Sequence, residues 1–558
     1  MPDDVMPAGG ALVADEHLDA VRRLLDEAQP VDVAPGSGDD GNGHGEPPED
    51  DGEPGPPDDA ALALFEPNDT GNAHRLVERH GGDLIHVEGI GWHYWDGARY
   101  NAELGDPKAV ERAQWTQAAM WAELKALRSL GPPPPDELEE TSEGVVKDAL
   151  KLERIKRWER QMQAFEAHII KSGNRSQIRG MLEMALPDLS QPYREMDSDP
   201  WLLTVDNGTL DLRPVEDRKV PGFDGCSDQV WAPVLRGHRK RDRITRLVPV
   251  AYEPGTACPA WEAFLARILP GDEVRLFVQR LFGYALLGVT DEQCLAVLWG
   301  TGKNGKSTLV DVLREVFGDY AATVPVGVFL DDGHVKADGP RPSLAKLPGR
   351  RLVLMSEPKK GAKLDEALVK EITGGEPLET RGLQRDPIEF RPRFLPVMST
   401  NHKPEIRGLD PGIWRRIILI PFKVFIPENE RDPRLKEKLL AEKAGILRWL
   451  LDGLKSWHEQ GLAPPNEVVE AVEEYRADSD PLKEFLEAET HICAGKRVSS
   501  TDLYKAYEDW CARNAAEPLK QNGFSRRLKD RGFRTIKASV NFWDGLELLP
   551  PNHVEGLA

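Results

Sequence analysis

The sequence predicts an α/β protein, and three observations support this fold class. An apolar run at 295–299 precedes a glycine-rich loop, and an apolar stripe follows that loop at helical spacing. The run is typical of a buried parallel strand, and the stripe is typical of a helix that packs on a sheet. Further apolar runs at 352–355, 394–398 and 417–422 predict more strands of the same sheet.

The loop between the first strand and its helix matches the phosphate-binding P-loop pattern GxxxxGKS/T, because residues 300–308 read GTGKNGKST. Its glycines let the backbone turn N–H groups toward a phosphate, and the next helix contributes its positive end. A chance glycine-rich turn is the alternative, and the flanking strand and helix argue against it. The residues predicted to bind the nucleotide are Gly300, Gly302, Asn304, Gly305, Lys306, Ser307 and Thr308.

Two side chains of this loop have defined expected roles. Lys306 is expected to reach the β- and γ-phosphates of ATP, and the hydroxyl of Ser307 is expected to bind Mg²⁺. ATP and Mg²⁺ are therefore the predicted ligands.

Composition excludes several classes of protein. The chain has 558 residues, enough for about three to four domains. Its net charge of −22 argues against general polyanion binding, so any nucleic-acid contact needs a local basic surface. The five cysteines are scattered without a CxxC pair, which argues against a disulfide framework or a cysteine-based zinc site. The sequence shows no signal peptide and no long apolar run, so we expect a cytoplasmic protein without a membrane partner.

Changes in composition along the chain predict its domain organisation. Residues 31–60 contain ten acidic residues and no Lys or Arg, which is typical of a disordered tail; a partner-binding segment is the alternative. An Asn207-Gly208 turn between two apolar runs predicts a β-hairpin. We predict a disordered acidic tail at 1–62, an α+β domain at 63–255, a P-loop ATPase domain at 256–425, a helical extension at 426–479 and a small C-terminal domain at 480–550.

Polar residues at the strand ends are the candidates for catalysis. Glu357 follows the strand at 352–355 and could activate the attacking water, although a surface glutamate is the alternative. Asn401 follows the strand at 394–398 and could hydrogen-bond the γ-phosphate or that water. Arg415 and Arg416 precede the strand at 417–422, and an arginine of one subunit can reach the nucleotide of its neighbour.

Two segments carry positive charge that could contact DNA. Arg381, Gln384 and Arg385 are placed as in an exposed hairpin, for which an ordinary solvated loop is an equal alternative. Residues 496–540 carry eleven Lys or Arg against five Asp or Glu, a local excess of six positive charges in an acidic protein.

Within this basic segment the pattern predicts two helices followed by a β-hairpin, as in a winged helix. Phe524 and Leu528 are expected to face inward, which leaves Arg526, Arg527 and Lys529 to face outward toward DNA. A basic but merely solvated face is the alternative.

Together, GTGKNGKST, Ser356-Glu357, KEITGGE, STNHKP and WRR resemble the superfamily 3 helicases of phages, plasmids and large DNA viruses. The likeness is greatest to the phage/plasmid and poxvirus-type primase-helicases, and it covers residues 65–550. It implies an AAA+-like P-loop domain with a winged helix after it. It also implies an ATP-dependent hexameric DNA helicase that acts in the replication of a phage or mobile element.

The resemblance also implies roles for single residues. Lys306 and Ser307 match the Walker A pair, Glu357 matches the Walker B glutamate, and Asn401 matches the polar sensor. Lys370 falls in the segment that contacts single-stranded DNA in the central channel. Arg415 or Arg416 would be the arginine finger.

One position departs from related ATPases, because Ser356 stands where many of them have a second acid. We therefore expect Glu357 to act as a base rather than as a direct metal ligand. The segment before the P-loop shows no metal-binding DxD, so we expect a helicase without its own priming site, served by a separate primase or polymerase. The alternatives are an ATP-switched DNA-binding protein and, with less support, a small-molecule kinase.

Overall fold

The computed structural model describes residues 57–214, 231–331, 341–381, 387–406, 408, 410–514, 518–537 and 540–550. Most of the predicted acidic tail, and Gln384 and Arg385 of the predicted hairpin, lie outside these residues. The described part is mixed α/β and divides into two compact units. None of its helices combines the length and apolar character needed to cross a membrane.

The first unit contains the chain up to Met196 and the segment Arg239–Thr245. Its helices are α1 (Asp59–Leu62), α2 (Asp69–His80), α3 (Ala102–Leu130), α4 (Glu137–Thr141), α5 (Gly144–Ser172), α6 (Arg175–Met184) and α7 (Leu186–Leu189). Its strands are β1 (Leu84–Val87), β2 (Gly91–Trp95), β3 (Tyr100–Asn101) and β4 (Ser190–Gln191), in the sheet order β3-β2-β1-β4. Strands β1, β2 and β3 pair in an antiparallel run.

The second unit is built on a five-stranded sheet. Its strands are β8 (Leu295–Trp299), β9 (Ala321–Val324), β10 (Leu352–Met355), β13 (Leu395–Thr400) and β14 (Ile417–Pro421). Their order is β14-β8-β13-β10-β9, and every pair is parallel. We call the side where these strands end the carboxyl edge and the side where they begin the amino edge. The strands are almost wholly buried because helices pack against the sheet.

Helices and three further strands complete this part of the second unit. The helices are α8 (Pro259–Ile268), α9 (Asp272–Tyr284), α10 (Lys306–Phe317), α11 (Glu366–Gly374), α12 (Pro411–Trp414), α13 (Leu435–Leu440), α14 (Lys443–Gln460) and α15 (Asn466–Asp478). The strands β5 (Leu202–Val205), β6 (Gly208–Asp211) and β7 (Val234–Arg236) form a small antiparallel sheet. The Asn207-Gly208 turn joins β5 to β6, which confirms the predicted hairpin.

A second hairpin lies between α11 and β13. It consists of β11 (Leu378–Arg381) and β12 (Pro387–Phe390), paired from Leu378↔Phe390 to Arg381↔Pro387. Just before it, Gly375 takes a positive φ of 74°, and a β-carbon added there would come within 2.8 Å of the Thr290 hydroxyl. Because Thr290 precedes β8, the hairpin begins near the amino edge of the sheet.

The C-terminal part contains α16 (Pro481–Glu489), β15 (Thr490–Ser499), α17 (Ser500–Arg513), α18 (Gln521–Asp530), β16 (Thr535–Lys537) and β17 (Asn541–Leu548). Ser499 begins α17 by accepting a hydrogen bond from the backbone N–H of Asp502. Two helices and a hairpin are present as predicted, and β15 joins the sheet in the order β15-β17-β16. Phe485, Tyr507, Phe524 and Trp543 form the centre of its core.

Candidate functional site

The glycine loop lies at the carboxyl edge, between β8 and α10. Gly305 immediately precedes α10 with a φ of 86°, which an L side chain rarely adopts. A β-carbon at Gly305 would also lie 2.4 Å from Cγ2 of Ile268. The helix begins at Lys306, as the sequence predicts. The backbone conformation at position 305 therefore requires glycine. It places the first turn of α10 directly after the loop, so that the N-terminus of the helix faces the loop.

A cavity of about 1190 Å³ opens beside this loop, which exceeds the usual size of small-ligand sites. Six of the seven residues predicted to bind a nucleotide line the cavity, namely Gly302, Asn304, Gly305, Lys306, Ser307 and Thr308. Gly300 lies behind the loop, where a β-carbon would come within 2.4 Å of the Phe422 carbonyl oxygen.

Lys306 is buried, with 4 % of its surface exposed, and its ammonium group has two oxygen acceptors. Nζ donates to the Gly300 carbonyl at 2.6 Å and to Oδ1 of Asn401 at 3.1 Å. Burial lowers the pKa of Lys306 from its ordinary value, and the Glu357 carboxylate opposes that shift. The ammonium is thus held inside the cavity by neutral groups that a phosphate oxygen could replace.

Glu357 and Asn401 are directly hydrogen-bonded to each other. The backbone N–H of Asn401 donates to Oε1 of Glu357 at 3.0 Å, and Nδ2 of Asn401 donates to Oε2 at 3.1 Å. They meet because β10 and β13 are parallel neighbours that end at the same edge. The predicted catalytic pair therefore lies in the cavity together with Lys306.

Arg415 and Arg416 lie at the opposite edge of the sheet. They precede β14, in which Ile417 pairs with Leu295 at the start of β8. A five-residue strand spans about 16 Å, so neither guanidinium approaches the glycine loop of its own chain. The structure does not bring these two residues to the cavity.

The two arginines have different surroundings. Arg416 is 8 % exposed and donates to the Thr373 hydroxyl at 3.0 Å and to the Gly412 carbonyl at 2.6 Å. Its burial, followed by the charge of Arg415, lowers the pKa of Arg416. Arg415 is exposed and donates from Nη2 to Oε1 of Gln293 at 3.2 Å. Arg416 is thus buried and bonded within the fold, whereas Arg415 is exposed.

The predicted DNA-contacting residues lie away from the cavity. Lys370 is on α11, half-buried, and forms an ion pair with Asp410, which lowers the pKa of that carboxyl. Arg381 ends strand β11. On α18, Arg526 and Lys529 are exposed, as predicted, but Arg527 is half-buried. Arg527 follows buried Phe524 by three positions, which places it on the border of the packed face.

Sequence reasoning missed one wall of the cavity. Segment 426–438 contributes the apolar residues Ile426 and Leu435 and charged residues of both signs, namely Glu430, Arg431, Asp432, Lys436 and Lys438. Phe264 of α8 lines the cavity as well. The segment has no motif, and its mixture of charges is typical of any solvated stretch, so no signal in the sequence marks it.

Three family models match successive parts of the chain. "D5 N terminal like" matches residues 73–270, "Family of unknown function (DUF5906)" matches 298–416, and "Poxvirus D5 protein-like" matches 477–535. "Putative helicase L207/L206" of Acanthamoeba polyphaga mimivirus is 28 % identical over 344 residues, covering 58 % of this chain and 34 % of the relative. "Putative primase C962R" of African swine fever virus, isolate Tick/Malawi/Lil 20-1/1983, is 24 % identical over 297 residues, covering 52 % and 29 %.

Together, the matches to the two D5 models and to the viral relatives support a primase-helicase family of the phage/plasmid and poxvirus type. The chain spans about a third of the length of these curated relatives. The apo NrS-1 C-terminal region aligns with 54 % of this chain and 78 % of its own, at 13 % identity and a TM-score of 0.34. That likeness is too low to support an argument about fold.

Proposed function

We propose that this protein is an ATP-dependent DNA helicase, active as a hexamer in the replication of a phage or mobile element. The observation that carries the proposal is the convergence of Lys306, Glu357 and Asn401 on one cavity beside the glycine loop. An AAA+-like arrangement fits, because the catalytic candidates follow parallel strands at one edge and the arginine pair precedes a strand at the other.

In this proposal the loop N–H groups and Lys306 hold the phosphates of ATP. Phosphate oxygens take the place of Asn401 and the Gly300 carbonyl as acceptors for the ammonium. Ser307 lines the cavity in the first turn of α10, which suits a hydroxyl ligand of Mg²⁺. The ion would neutralise charge that develops on the phosphate oxygens.

Glu357 is the proposed general base. A water attacks the γ-phosphorus, the bond from that phosphorus to the β–γ bridging oxygen breaks, and the proton of the water passes to the Glu357 carboxylate. ADP and inorganic phosphate leave. The two hydrogen bonds from Asn401 orient the carboxylate, so that Asn401 acts as a positioning group for Glu357 and as a ligand for the γ-phosphate.

We propose Arg415 as the arginine finger that acts on a neighbouring subunit. About 16 Å of strand separates it from its own glycine loop, so its action on a nucleotide requires a second copy. Arg415 is exposed, whereas Arg416 is engaged with Thr373 and Gly412. Arginine finger contacts raise hydrolysis by about 10³–10⁵.

DNA contacts are assigned to two regions. The hairpin β11–β12, with Arg381 and nearby Lys370, is proposed to contact a single strand in the ring channel. The C-terminal part is proposed to be a winged helix that binds nucleic acid through Arg526 and Lys529 of α18. Positive charge at these places offsets the overall charge of −22 locally.

The test uses Lys306→Ala with wild type and a matched control, Lys346→Ala, whose side chain is exposed outside the cavity. Wild type and the control are expected to hydrolyse ATP, faster with single-stranded DNA, and to separate a duplex. Lys306→Ala is expected to do neither. Strand separation by Lys306→Ala would refute the proposal, and ATP-dependent DNA binding without unwinding in wild type would favour a nucleotide-switched DNA-binding protein.

A further inference from the structure

Gln293 connects the two arginines at the amino edge. Its Oε1 accepts a hydrogen bond from Nη2 of Arg415 at 3.2 Å and another from Nη2 of Arg416 at 3.3 Å. The same oxygen therefore links the exposed guanidinium to the buried one. In both bonds the arginine donates and the amide oxygen accepts.

The turn that presents Gln293 is held in an unusual conformation. Gln293 has a φ of 46°, in the left-handed region that L residues other than Asn and Asp seldom adopt. Its N–H donates to the Thr290 carbonyl at 3.0 Å. The adjacent Glu292 accepts a hydrogen bond at 2.6 Å from Nε1 of Trp457, and its N–H donates to the hydroxyl of Tyr284. Strain of this kind persists where surrounding contacts fix the backbone, and it is concentrated at functional sites.

The Gln293 side chain that accepts from both arginines carries no charge. Two guanidinium groups usually bind a carboxylate, which forms shorter and stronger bonds and cancels charge. An amide oxygen orients Arg415 but leaves its positive charge available to an incoming phosphate. Arg416, which is fixed by Thr373 and Gly412, keeps the amide in place from the other side.

We propose that Gln293 is a positioning residue that aims Arg415 at the nucleotide of the neighbouring subunit while adding no negative charge beside it. This inference rests on the proposed function. It assigns catalytic importance to the turn before β8, which carries no motif. Because β8 leads directly into the glycine loop, the same strand orients the finger at one end and holds phosphate at the other.

The experiment compares Gln293→Glu and Gln293→Gly with Asp291→Asn, an exposed position in the same turn, as control. Gln293→Glu keeps the shape but adds a carboxylate between the arginines. Gln293→Gly removes the side chain and suits the positive φ, so the fold is preserved. Arg415→Ala is measured beside them. The readouts are kcat and KM for ATP in the presence of DNA, at low and high salt, and the thermal midpoint.

We expect Gln293→Gly to lower kcat about tenfold and Gln293→Glu about 10²-fold, with KM for ATP within about twofold of wild type. High salt weakens the new ion pair, so it should recover part of the loss in Gln293→Glu and none in Gln293→Gly. Asp291→Asn should behave as wild type, and all thermal midpoints should agree.

The outcomes separate this inference from the proposed function. Wild-type rates in both Gln293 variants, with Arg415→Ala inactive, overturn the role of Gln293 and leave the proposed function standing. Equal, salt-independent losses with lowered thermal midpoints show a structural role only and also overturn the inference. Full activity of Arg415→Ala contradicts the finger assignment and the inference with it.

Discussion

At the scale of single residues, the cavity is organised around a side-chain amide. Asn401 accepts from Lys306 and donates to Glu357, so it stands between the phosphate-binding cation and the candidate base. A γ-phosphate that accepts a hydrogen bond from the Lys306 ammonium would replace the bond between Lys306 and Asn401. The orientation of the Asn401 amide, and with it the bond from Nδ2 to Glu357, would then depend on the nucleotide. In the proposed function, the position of Glu357 is thereby tied to whether the cavity holds a nucleotide.

Asn401→Ala is expected to lower kcat for ATP hydrolysis by about 10²-fold, because Glu357 loses an orienting donor and the γ-phosphate loses a ligand. KM for ATP should change little, since Lys306 and the loop N–H groups remain. Steady-state ATPase measurements check this, with Ser399→Ala at the same cavity edge as the control. A raised KM with unchanged kcat would show that Asn401 serves ground-state binding alone.

Arg415 and Arg416 should respond differently to the same truncation. Arg416→Ala removes buried hydrogen bonds to Thr373 and Gly412, and we expect it to lower the free energy of unfolding by about 1–3 kcal/mol. Arg415→Ala should leave the thermal midpoint unchanged and remove nearly all ATPase activity. Thermal unfolding and hydrolysis assays on both variants test this. Normal stability of Arg416→Ala together with lost hydrolysis would instead identify Arg416 as the finger.

At the scale of secondary-structure elements, the parallel sheet separates two functions. Strands β8, β10 and β13 end at the cavity, whereas β14 begins at the arginine pair. In the proposed function, each subunit would hold a nucleotide at its carboxyl edge and complete the neighbour's site from its amino edge, on opposite sides of one sheet. A rigid sheet transmits a displacement at one edge to the other without internal rearrangement.

The same element scale explains what the sequence could predict. Strands β8, β10, β13 and β14 are continuous apolar runs bounded by polar residues, so their buried parallel arrangement was predictable. Strand β15 was not, because along its length only Thr490 and Val498 are buried and the pairing is irregular between Ile492 and Arg497. A mostly exposed strand has neither an apolar run nor a clean alternation to mark it.

The site was predictable to a similar degree. Lys306, Glu357 and Asn401 follow apolar strands, and parallel strands bring their ends together, so the cluster follows from the pattern. Gln293 and the wall at 426–438 do not, because their places depend on side-chain contacts between distant segments.

Helix α18 provides a test at the element scale. The double variant Arg526→Ala/Lys529→Ala is expected to weaken binding to DNA of any sequence and to reduce the slope of log affinity against log salt by about 2. Titration of labelled DNA at several salt concentrations measures that slope. Lys483→Ala, which removes an exposed charge from α16, is the control. An unchanged slope in the double variant would show that α18 does not contact phosphates.

At the scale of the whole molecule, the proposed site shared by two copies predicts complementation. A mixture of Lys306→Ala and Arg415→Ala subunits contains interfaces in which an intact Lys306 faces an intact Arg415. Random equal mixing into rings makes about a quarter of all interfaces complete. Rings made of a single variant contain no complete interface. Capture of an untagged variant by a tagged one, with ATP and DNA present, establishes that mixed rings have formed, and hydrolysis should then recover to roughly that fraction of the wild-type rate. Mixing Arg415→Ala with Glu357→Gln should give the same recovery, because the Arg415→Ala subunits keep Glu357 and the Glu357→Gln subunits keep Arg415. If mixed rings form and neither mixture hydrolyses ATP, Arg415 does not act on the neighbouring subunit. The proposal that the carboxyl edge binds one nucleotide while the amino edge acts on the neighbour's nucleotide is then wrong.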